Sequence, residues 1–276
     1  MRNLIKLPKM WQASILTSCL AVLCLLAQGC STVPVTGRRS LNLIPAGEEL
    51  QLGLTSFEET KKGTPISKNR AANEQVQRVG KLVAQVASPD LPNAQWEFVV
   101  FESKEANAFC LPGGKVGVYT GLLPITRTDA GLAAVIGHEV GHAVAHHGAE
   151  RMSEALMIQG GGELLKAGMS KRDPKVQEAA ALAYGVGMKM GRELPHSRQQ
   201  ELEADQIGLI YMARAGYDPA EAIAFWKRFS EANGQAKNPP GVIERWLSTH
   251  PVNAERIKQL EQLLPKAREE MKKPAQ

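Results

Sequence analysis

The segment His138-Glu139-Val140-Gly141-His142 constrains this chain more than any other feature of it. Histidines four residues apart project from the same side of an α-helix, one turn above each other. Two imidazoles so placed can bind one Zn²⁺, and a carboxylate beside the first can reach a water on that metal. We therefore expect His138 and His142 as metal ligands and Glu139 as general base. The alternative is a helix that carries two surface histidines by coincidence.

The residues before this segment predict a buried helix. Thr128-Asp129 can cap its start, and the run 130–137 is apolar on nearly all sides. Buried imidazoles need polar partners, and a metal supplies one. Gly137 and Gly141 are poor helix formers, so we expect another backbone or a substrate to approach the helix closely there.

A catalytic zinc site needs a third protein ligand and keeps one position open for water. His146 lies two helical turns from His138, too far along the axis to share an ion held between His138 and His142. His147 points to another face of the helix. Both are expected to cap the carbonyl end of the helix, which Gly148 would terminate.

A carboxylate from another helix is then the remaining candidate. Glu163 lies at a plausible distance along the chain, but no neighbouring acid supports it. Glu201 is better placed, because Asp205 shares its helix face and can receive an imidazole N–H from a ligand. We expect Glu201 as the third ligand, with Asp205 and Arg198 supporting the ligands from behind. The alternative is a solvated helix on which Glu201 or Glu203 pairs with Arg198.

Several further motifs accompany HEVGH. They are NAFCLPGG at 107–114, YTGLL at 119–123, SRQQELEAD at 197–205, LSTHP at 247–251 and ERI at 255–257. Together they resemble the zinc endopeptidase family of the CAAX prenyl protease and the heat-shock protease HtpX, over approximately residues 34 to 264. Within that family the resemblance is strongest to the lipid-anchored bacterial branch, akin to the mitochondrial inner-membrane quality-control metalloendopeptidase.

The resemblance implies a mainly helical, zincin-like (gluzincin) metallopeptidase domain that holds one Zn²⁺ per chain. It implies the ligands, the base and the supporting Asp205 named above, and it adds His250 near the metal. His250 would either occupy the metal in a resting form or assist the oxyanion during catalysis, and we favour the resting role. The alternative is a histidine that only caps the last helix.

The remaining pattern predicts an α+β fold. Helices are expected at 46–60 and 73–87, a strand at 96–101, and a hairpin formed by 106–111 and 116–119. From Asp129 onward the pattern is helical, with breaks expected at 160–162, 173–174, 194–195, 218–219 and 238–241. Few strands before many helices indicate a small sheet packed beside the metal helix. The hairpin edge at Asn107, Ala108 and Phe109 is expected to bind substrate as an added strand.

The N-terminus predicts a lipoprotein. Three basic residues precede an apolar run from Ile15 to Ala27, which is typical of a secretory signal. The signal would occupy residues 1–29 and end in a lipobox-like LLAQGC, so that Cys30 is lipidated. Residues 30–44 would form a tether and residues 45–276 the metallopeptidase domain. The expected location is the periplasmic face of the outer membrane, and the alternative is an uncleaved N-terminal anchor.

Removing the signal changes how charge and cysteine content are interpreted. The whole chain carries a net charge of +5, of which Arg2, Lys6 and Lys9 supply three, so +2 remains. This small excess gives no reason to expect a nucleic-acid partner. After removal of the signal and lipidation of Cys30, Cys110 is the one remaining thiol, so no intramolecular disulfide is expected. Cys110 is expected to be a small buried hydrophobic residue.

These expectations combine into one function with one alternative. We expect a zinc-dependent endopeptidase that cleaves misfolded or unassembled cell-envelope proteins, which are its expected partners together with the membrane. The alternative is a chaperone, holdase or assembly factor that binds such proteins without cutting them. Glu139 speaks against pure binding, because a binding module has no use for a base.

Overall fold

The computed structural model describes residues 30–189, 194–234, 246 and 250–272. The predicted signal peptide and the break expected at 238–241 lie outside these residues. Nine α-helices lie in the described ranges: α1 (Ala46–Gly63), α2 (Arg70–Ala87), α3 (Leu123–Thr126), α4 (Asp129–Val144), α5 (His147–Gly168), α6 (Pro174–Met188), α7 (Leu194–Arg214), α8 (Ala220–Gly234) and α9 (Ala254–Glu270). In these ranges no helix combines the length and the apolar character needed to cross a bilayer.

The strands form two small sheets. β1 (Cys30–Thr32) and β2 (Arg39–Leu41) pair as an antiparallel hairpin. β3 (Glu97–Phe101), β4 (Ala108–Leu111) and β5 (Lys115–Tyr119) form a mixed sheet in the order β3-β5-β4. β5 is parallel to β3 and antiparallel to β4, so β4 is an outer strand of this sheet. The predicted strand and hairpin are therefore present within one or two residues of their expected bounds.

Both faces of the three-stranded sheet are covered. Alternate residues of a strand point to opposite faces. Phe98 and Val100 accordingly join the main core against α2, while Phe101 packs with Phe57 of α1 on the other side. β4 lies against α4, so the sheet borders the helix that carries HEVGH. The α+β, mainly helical prediction is confirmed, including the small sheet beside that helix.

Helix α4 runs through the centre of the molecule. Thr128 caps it by accepting a hydrogen bond from the backbone N–H of Gly131 at 3.0 Å, as predicted. Every residue from Gly131 to Val144 is buried, because α2, α7, α8 and β4 surround the helix. The apolar sequence of α4 is thus explained by burial on all sides rather than on one stripe.

The break expected at 160–162 is wrong. Helix α5 continues through these glycines to Gly168, and α6 packs back against it. Tyr184 of α6 lies over Gly161 and donates a hydrogen bond to the carbonyl of Ile158 at 3.0 Å. The glycines therefore make room for a neighbouring side chain and do not end the helix. The breaks expected before Pro174 and at 218–219 coincide with helix boundaries.

The segment expected to be a tether, residues 30–44, contains the β1–β2 hairpin. Val33 is buried in the main core, and Ser40 is buried against Glu150 of α5. Arg38 bonds to Glu150 and also to Glu203 of α7. This hairpin therefore belongs to the folded unit, because buried contacts with two helices hold it in place.

Candidate metal centre

Helices α4 and α7 lie unusually close together where they cross. A Cβ added to Gly208 would lie 2.7 Å from the backbone nitrogen of His138, and one added to Gly137 would lie 2.9 Å from the carbonyl oxygen of Gly208. Gly141 faces the backbone of Ala204 in the same way. The prediction that another backbone approaches Gly137 and Gly141 is therefore confirmed. This contact brings the HEVGH segment against the acidic face of α7.

Four side chains converge between these helices. The Nε2 atoms of His138 and His142 lie 3.1 Å apart, and the Glu201 carboxylate lies 3.5 Å from the first and 3.2 Å from the second. His250 joins them, and one nitrogen or oxygen of each of the four residues lies within 4.8 Å of the others. Among the described residues this is the group able to hold a metal ion. Three of its members are the predicted ligands, and the fourth is the histidine that the family resemblance suggested.

The atoms of this group fit a cation such as zinc. Glu201 Oε2 is buried without a hydrogen-bond partner, and Arg256 Nη1 lies 3.1 Å from it outside hydrogen-bond geometry. Burial by itself would lower the pKa of His138, but the carboxylates of Asp205 and Glu201 outweigh it and raise the pKa to about 9. The two carboxylates therefore stabilise a positive charge at the position of His138. Two imidazoles and one carboxylate form the ligand set of many catalytic zinc sites.

Asp205 lies behind His138, as predicted. Its carboxylate accepts a hydrogen bond from Nδ1 of His138 at 2.9 Å, so Nε2 is the ring nitrogen that faces the cluster and that a metal would bind. Arg256 donates to both oxygens of Asp205 at 2.6 and 2.8 Å, and its guanidinium lies 3.8 Å from the ring centre of Trp226. Arg198, which was expected in this position, is exposed. It lies seven residues before Asp205, about two helical turns or ~10 Å along the axis.

His146 and His147 do not cap α4, so that expectation is wrong. Helix α4 ends at Val144, and His146 adopts a left-handed conformation with φ 54° that redirects the chain into α5. His146 Nδ1 lies 2.8 Å from the carboxylate of Glu49. His147 instead begins α5 and turns inward, where its Nδ1 lies 2.8 Å from Nδ1 of His142 and its Nε2 lies 3.0 Å from Glu203. Gly148 is inside α5 and ends no helix.

Glu139 borders a cleft of about 560 Å³ together with His142, Glu201 and His250. Its Oε1 atom is buried without a hydrogen-bond partner. Burial raises the pKa of Glu139 to about 8, and the nearby Glu201 carboxylate adds to the effect against the opposing influence of His138. A carboxylate whose pKa lies near neutrality can both accept and return a proton.

His250 closes one side of the cleft. Its Nε2 lies 3.4 Å from Glu139 Oε1, and its Nδ1 donates to the carbonyl of Trp246 at 3.2 Å, which places the lone pair on Nε2. Burial lowers the pKa of His250 to about 3 despite the opposing charge of Glu201, so the ring is neutral. It does not cap the last helix, because the N-cap of α9 is Asn253, whose side chain accepts from the N–H of Arg256.

The predicted substrate strand lines the same cleft. Asn107, Ala108 and Phe109 line the cleft with Cys110; Ala108 and Phe109 begin the outer strand β4, and Asn107 directly precedes it. Cys110 was expected to be buried; it is partly buried, packs against the main core, and desolvation raises the pKa of its thiol. Glu163, the alternative third ligand, is exposed on α5 and lies outside the cluster.

The sequence did not indicate the roles of Arg256 and of the pair His147–Glu203. Arg256 stands in the ERI motif at 255–257, so a signal was present, but nothing in its spacing names Asp205 as its partner. His147 could not be found by helix periodicity, because the chain changes direction between Val144 and His147.

Comparison with known proteins agrees with this geometry. The sequence model of "Peptidase family M48" matches residues 70–264. The Schizosaccharomyces pombe protein named "Mitochondrial metalloendopeptidase OMA1" is 32% identical over 238 residues, which are 85% of this chain and 66% of that protein. Its Saccharomyces cerevisiae namesake is 38% identical over 181 residues, 65% of this chain and 50% of its own. The Escherichia coli "Beta-barrel assembly-enhancing protease" is 25% identical over 235 residues, 84% of this chain and 47% of its own. The chain thus spans between about half and two thirds of the length of these three relatives.

Proposed function

The chain belongs to peptidase family M48, and from that membership we propose that it is a zinc-dependent endopeptidase. One observation carries the proposal: His138, His142 and Glu201 converge beside a cleft that is lined by His142, Glu201, Glu139 and residues of the outer strand β4. This is the arrangement that metal-assisted hydrolysis of a peptide requires, with a metal site, a base and a place for an extended chain.

In the proposed mechanism, His138, His142 and Glu201 hold one zinc ion, which when bound supplies a Lewis acid that acidifies water and polarises a carbonyl. Asp205 fixes the ring of His138 through its Nδ1–H, and Arg256 keeps Asp205 ionised and oriented. Glu139 takes the proton from the attacking water and returns it to the leaving amine.

We further propose that substrate adds as a strand beside β4. Asn107, Ala108 and Phe109 line the same cleft as Glu139, and an outer strand has backbone groups available for pairing. Backbone hydrogen bonds can form with an extended peptide of any sequence, so unfolded chains would be favoured as substrates over folded ones. Misfolded or unassembled cell-envelope proteins are the proposed substrates. The name of the Escherichia coli relative, which refers to β-barrel assembly, supports that class.

The proposed location rests on the N-terminus. Residues 1–29 would act as the signal and Cys30 as the lipidated residue that tethers the protein to the periplasmic face of the outer membrane. The exposed position of Ser31 and Thr32 at the start of β1 supports this, because an anchor attached there would not disturb the core.

We propose that His250 holds the enzyme in a resting form. Its neutral ring presents the Nε2 lone pair to the cluster of His138, His142 and Glu201, where it can take the position that water needs. The contact of 3.4 Å with Glu139 would also separate the base from its water. Release of His250 would then activate the enzyme.

The test is cleavage of unfolded casein by the full-length protein. Activity should appear with zinc and disappear with a chelator. Glu139→Gln should keep zinc bound while turnover falls more than about a hundredfold, the usual share of a general base. Turnover within a few-fold of wild type would show that Glu139 is not the base. Casein that is bound by wild type but never cut would instead favour the holdase alternative.

A further inference from the structure

The two histidines of HEVGH are supported from behind in different ways. His138 donates its Nδ1–H directly to Asp205. The Nδ1 of His142 faces another imidazole, that of His147, at 2.8 Å. His147 is completely buried, at 0% exposure, and takes no part in the mechanism above. Burying an imidazole is costly unless its two ring nitrogens form hydrogen bonds, so the partners of His147 are informative.

Binding of a metal by Nε2 of His142 would determine where the protons lie in the contact between His142 and His147. If Nε2 of His142 faces the metal, its Nδ1 must carry the proton. Nδ1 of His147 must then accept, so its own proton is on Nε2. That nitrogen lies 3.0 Å from a carboxylate oxygen of Glu203, which can only accept. The three residues form a continuous chain of hydrogen bonds from Glu203 through His147 to His142, and every donor in it meets an acceptor.

Glu203 is held in turn by the N-terminal hairpin. Thr36 donates to Glu203 Oε1 at 2.5 Å, and Nε of Arg38 donates to Oε2 at 2.6 Å. The two Nη atoms of Arg38 bond to the carboxylate of Glu150 at 2.7 and 3.0 Å. Arg38 therefore ties α5 and α7 together at the point where the chain of hydrogen bonds ends.

We propose that His147 and Glu203 are positioning residues that fix the ring of His142 on the metal, and that Arg38 of the N-terminal hairpin holds this pair in place. The inference rests on the proposed metal site. His142 would then be held by a carboxylate, as His138 is held by Asp205. The difference is that the imidazole of His147 lies between His142 and the carboxylate of Glu203. The hairpin and the metal site are then thermodynamically coupled, and coupling between two binding events is reciprocal. The free energy by which hairpin docking strengthens zinc binding therefore equals the free energy by which bound zinc stabilises the docked hairpin.

The first experiment measures the zinc affinity of the full-length protein by competition with a chromophoric chelator. His147→Leu removes the acceptor for His142 and should lower affinity about ten- to a hundredfold, as the loss of outer hydrogen bonds to ligands does. His147→Gln should restore most of it, because its amide oxygen can accept from His142 and its amide nitrogen can donate to Glu203. Leu and Gln variants with equal affinity would overturn the proposal.

The matched control is His146→Asn. His146 also bonds a carboxylate, that of Glu49, but does not touch His142, and asparagine tolerates its left-handed backbone. Its zinc affinity should equal that of wild type. The visible spectrum of the Co²⁺-loaded protein gives a second readout, because it reports the geometry at the metal. The spectrum should change in His147→Leu and be unchanged in His146→Asn, and the opposite pattern would contradict the inference.

The second experiment tests the hairpin and also serves if His147→Leu does not fold. Arg38→Ala should lower zinc affinity at least about fivefold, the lower end of coupling between sites. Arg214→Ala is the control, since its ion pair with Glu270 is similarly buried, at 37% and 10% side-chain exposure against 30% and 7% for Arg38 with Glu150. In wild type, zinc should slow amide exchange in residues 33–41 by the same factor, and this protection should vanish in Arg38→Ala.

The outcomes separate this inference from the proposed function. Wild-type protein that binds no zinc would refute the metal site and the inference with it. Wild-type protein that binds zinc, with Arg38→Ala and His147→Leu of equal affinity to it, would refute only the inference.

Discussion

Substitution of Gly208 by alanine tests whether the close crossing of α4 and α7 builds the metal site. The added Cβ would lie 2.7 Å from the backbone nitrogen of His138 and 2.9 Å from the carbonyl carbon of Gly137. Ordinary contact begins at 3.4 Å, so the first of these is 0.7 Å too close. Both obstructing atoms belong to the backbone of α4. No side chain can rotate away to relieve the clash, so the helices must separate.

The separation has two measurable costs. Forcing a methyl group into a packed core costs about 1–3 kcal/mol of unfolding free energy. The ligands lie on opposite sides of the crossing, with His138 and His142 on α4 and Glu201 on α7. Metal–ligand distances tolerate only about 0.2 Å of change, so a shift of several tenths of an ångström disrupts the site. We expect Gly208→Ala to lower zinc affinity at least about tenfold, which is the loss typically seen when the groups that orient a metal ligand are removed.

The assay combines urea unfolding of the metal-free protein with chelator competition for zinc. Gly185→Ala is the matched control, because Gly185 is also helical but has nothing within 4 Å of its added Cβ. That variant should keep wild-type zinc affinity and be up to about 1 kcal/mol more stable, since alanine is the better helix former. A Gly208→Ala protein with the stability and zinc affinity of wild type would refute the argument that this backbone contact sets the ligand geometry.

Glu201→Ala should strip zinc from the purified protein, whereas Glu163→Ala on the exposed face of α5 should not; the reverse result in metal analysis would assign the ligand to α5. Asp205→Asn should weaken zinc binding about ten- to a hundredfold by chelator competition, and unchanged binding would contradict its support of the ligand. His250→Ala should raise casein cleavage, while a fall in kcat of roughly ten- to a thousandfold would instead assign it to the oxyanion. Cys30→Ala should move the protein from the membrane to the soluble fraction, and unchanged membrane association would favour an uncleaved anchor.

The sequence by itself determined the features that local backbone geometry dictates. A helix of 3.6 residues per turn places His138 above His142, and Glu201 on the same side of α7 as Asp205, wherever those helices lie. Alternation and turn residues predicted the hairpin that forms β4 and β5 for the same reason. The family resemblance added His250, which local geometry could not supply.

Tertiary structure alone decided which of these faces meet and which other residues join them. Arg256 reaches Asp205 across 51 residues, and Arg38 reaches Glu203 across 165. Such contacts have no period in the sequence, because they depend on where separate helices pack. The change of direction at His146 had the same origin. Its left-handed backbone turned His147 from an expected helix cap into the inner partner of His142, since the path of the chain after α4 is set by packing and not by helix periodicity.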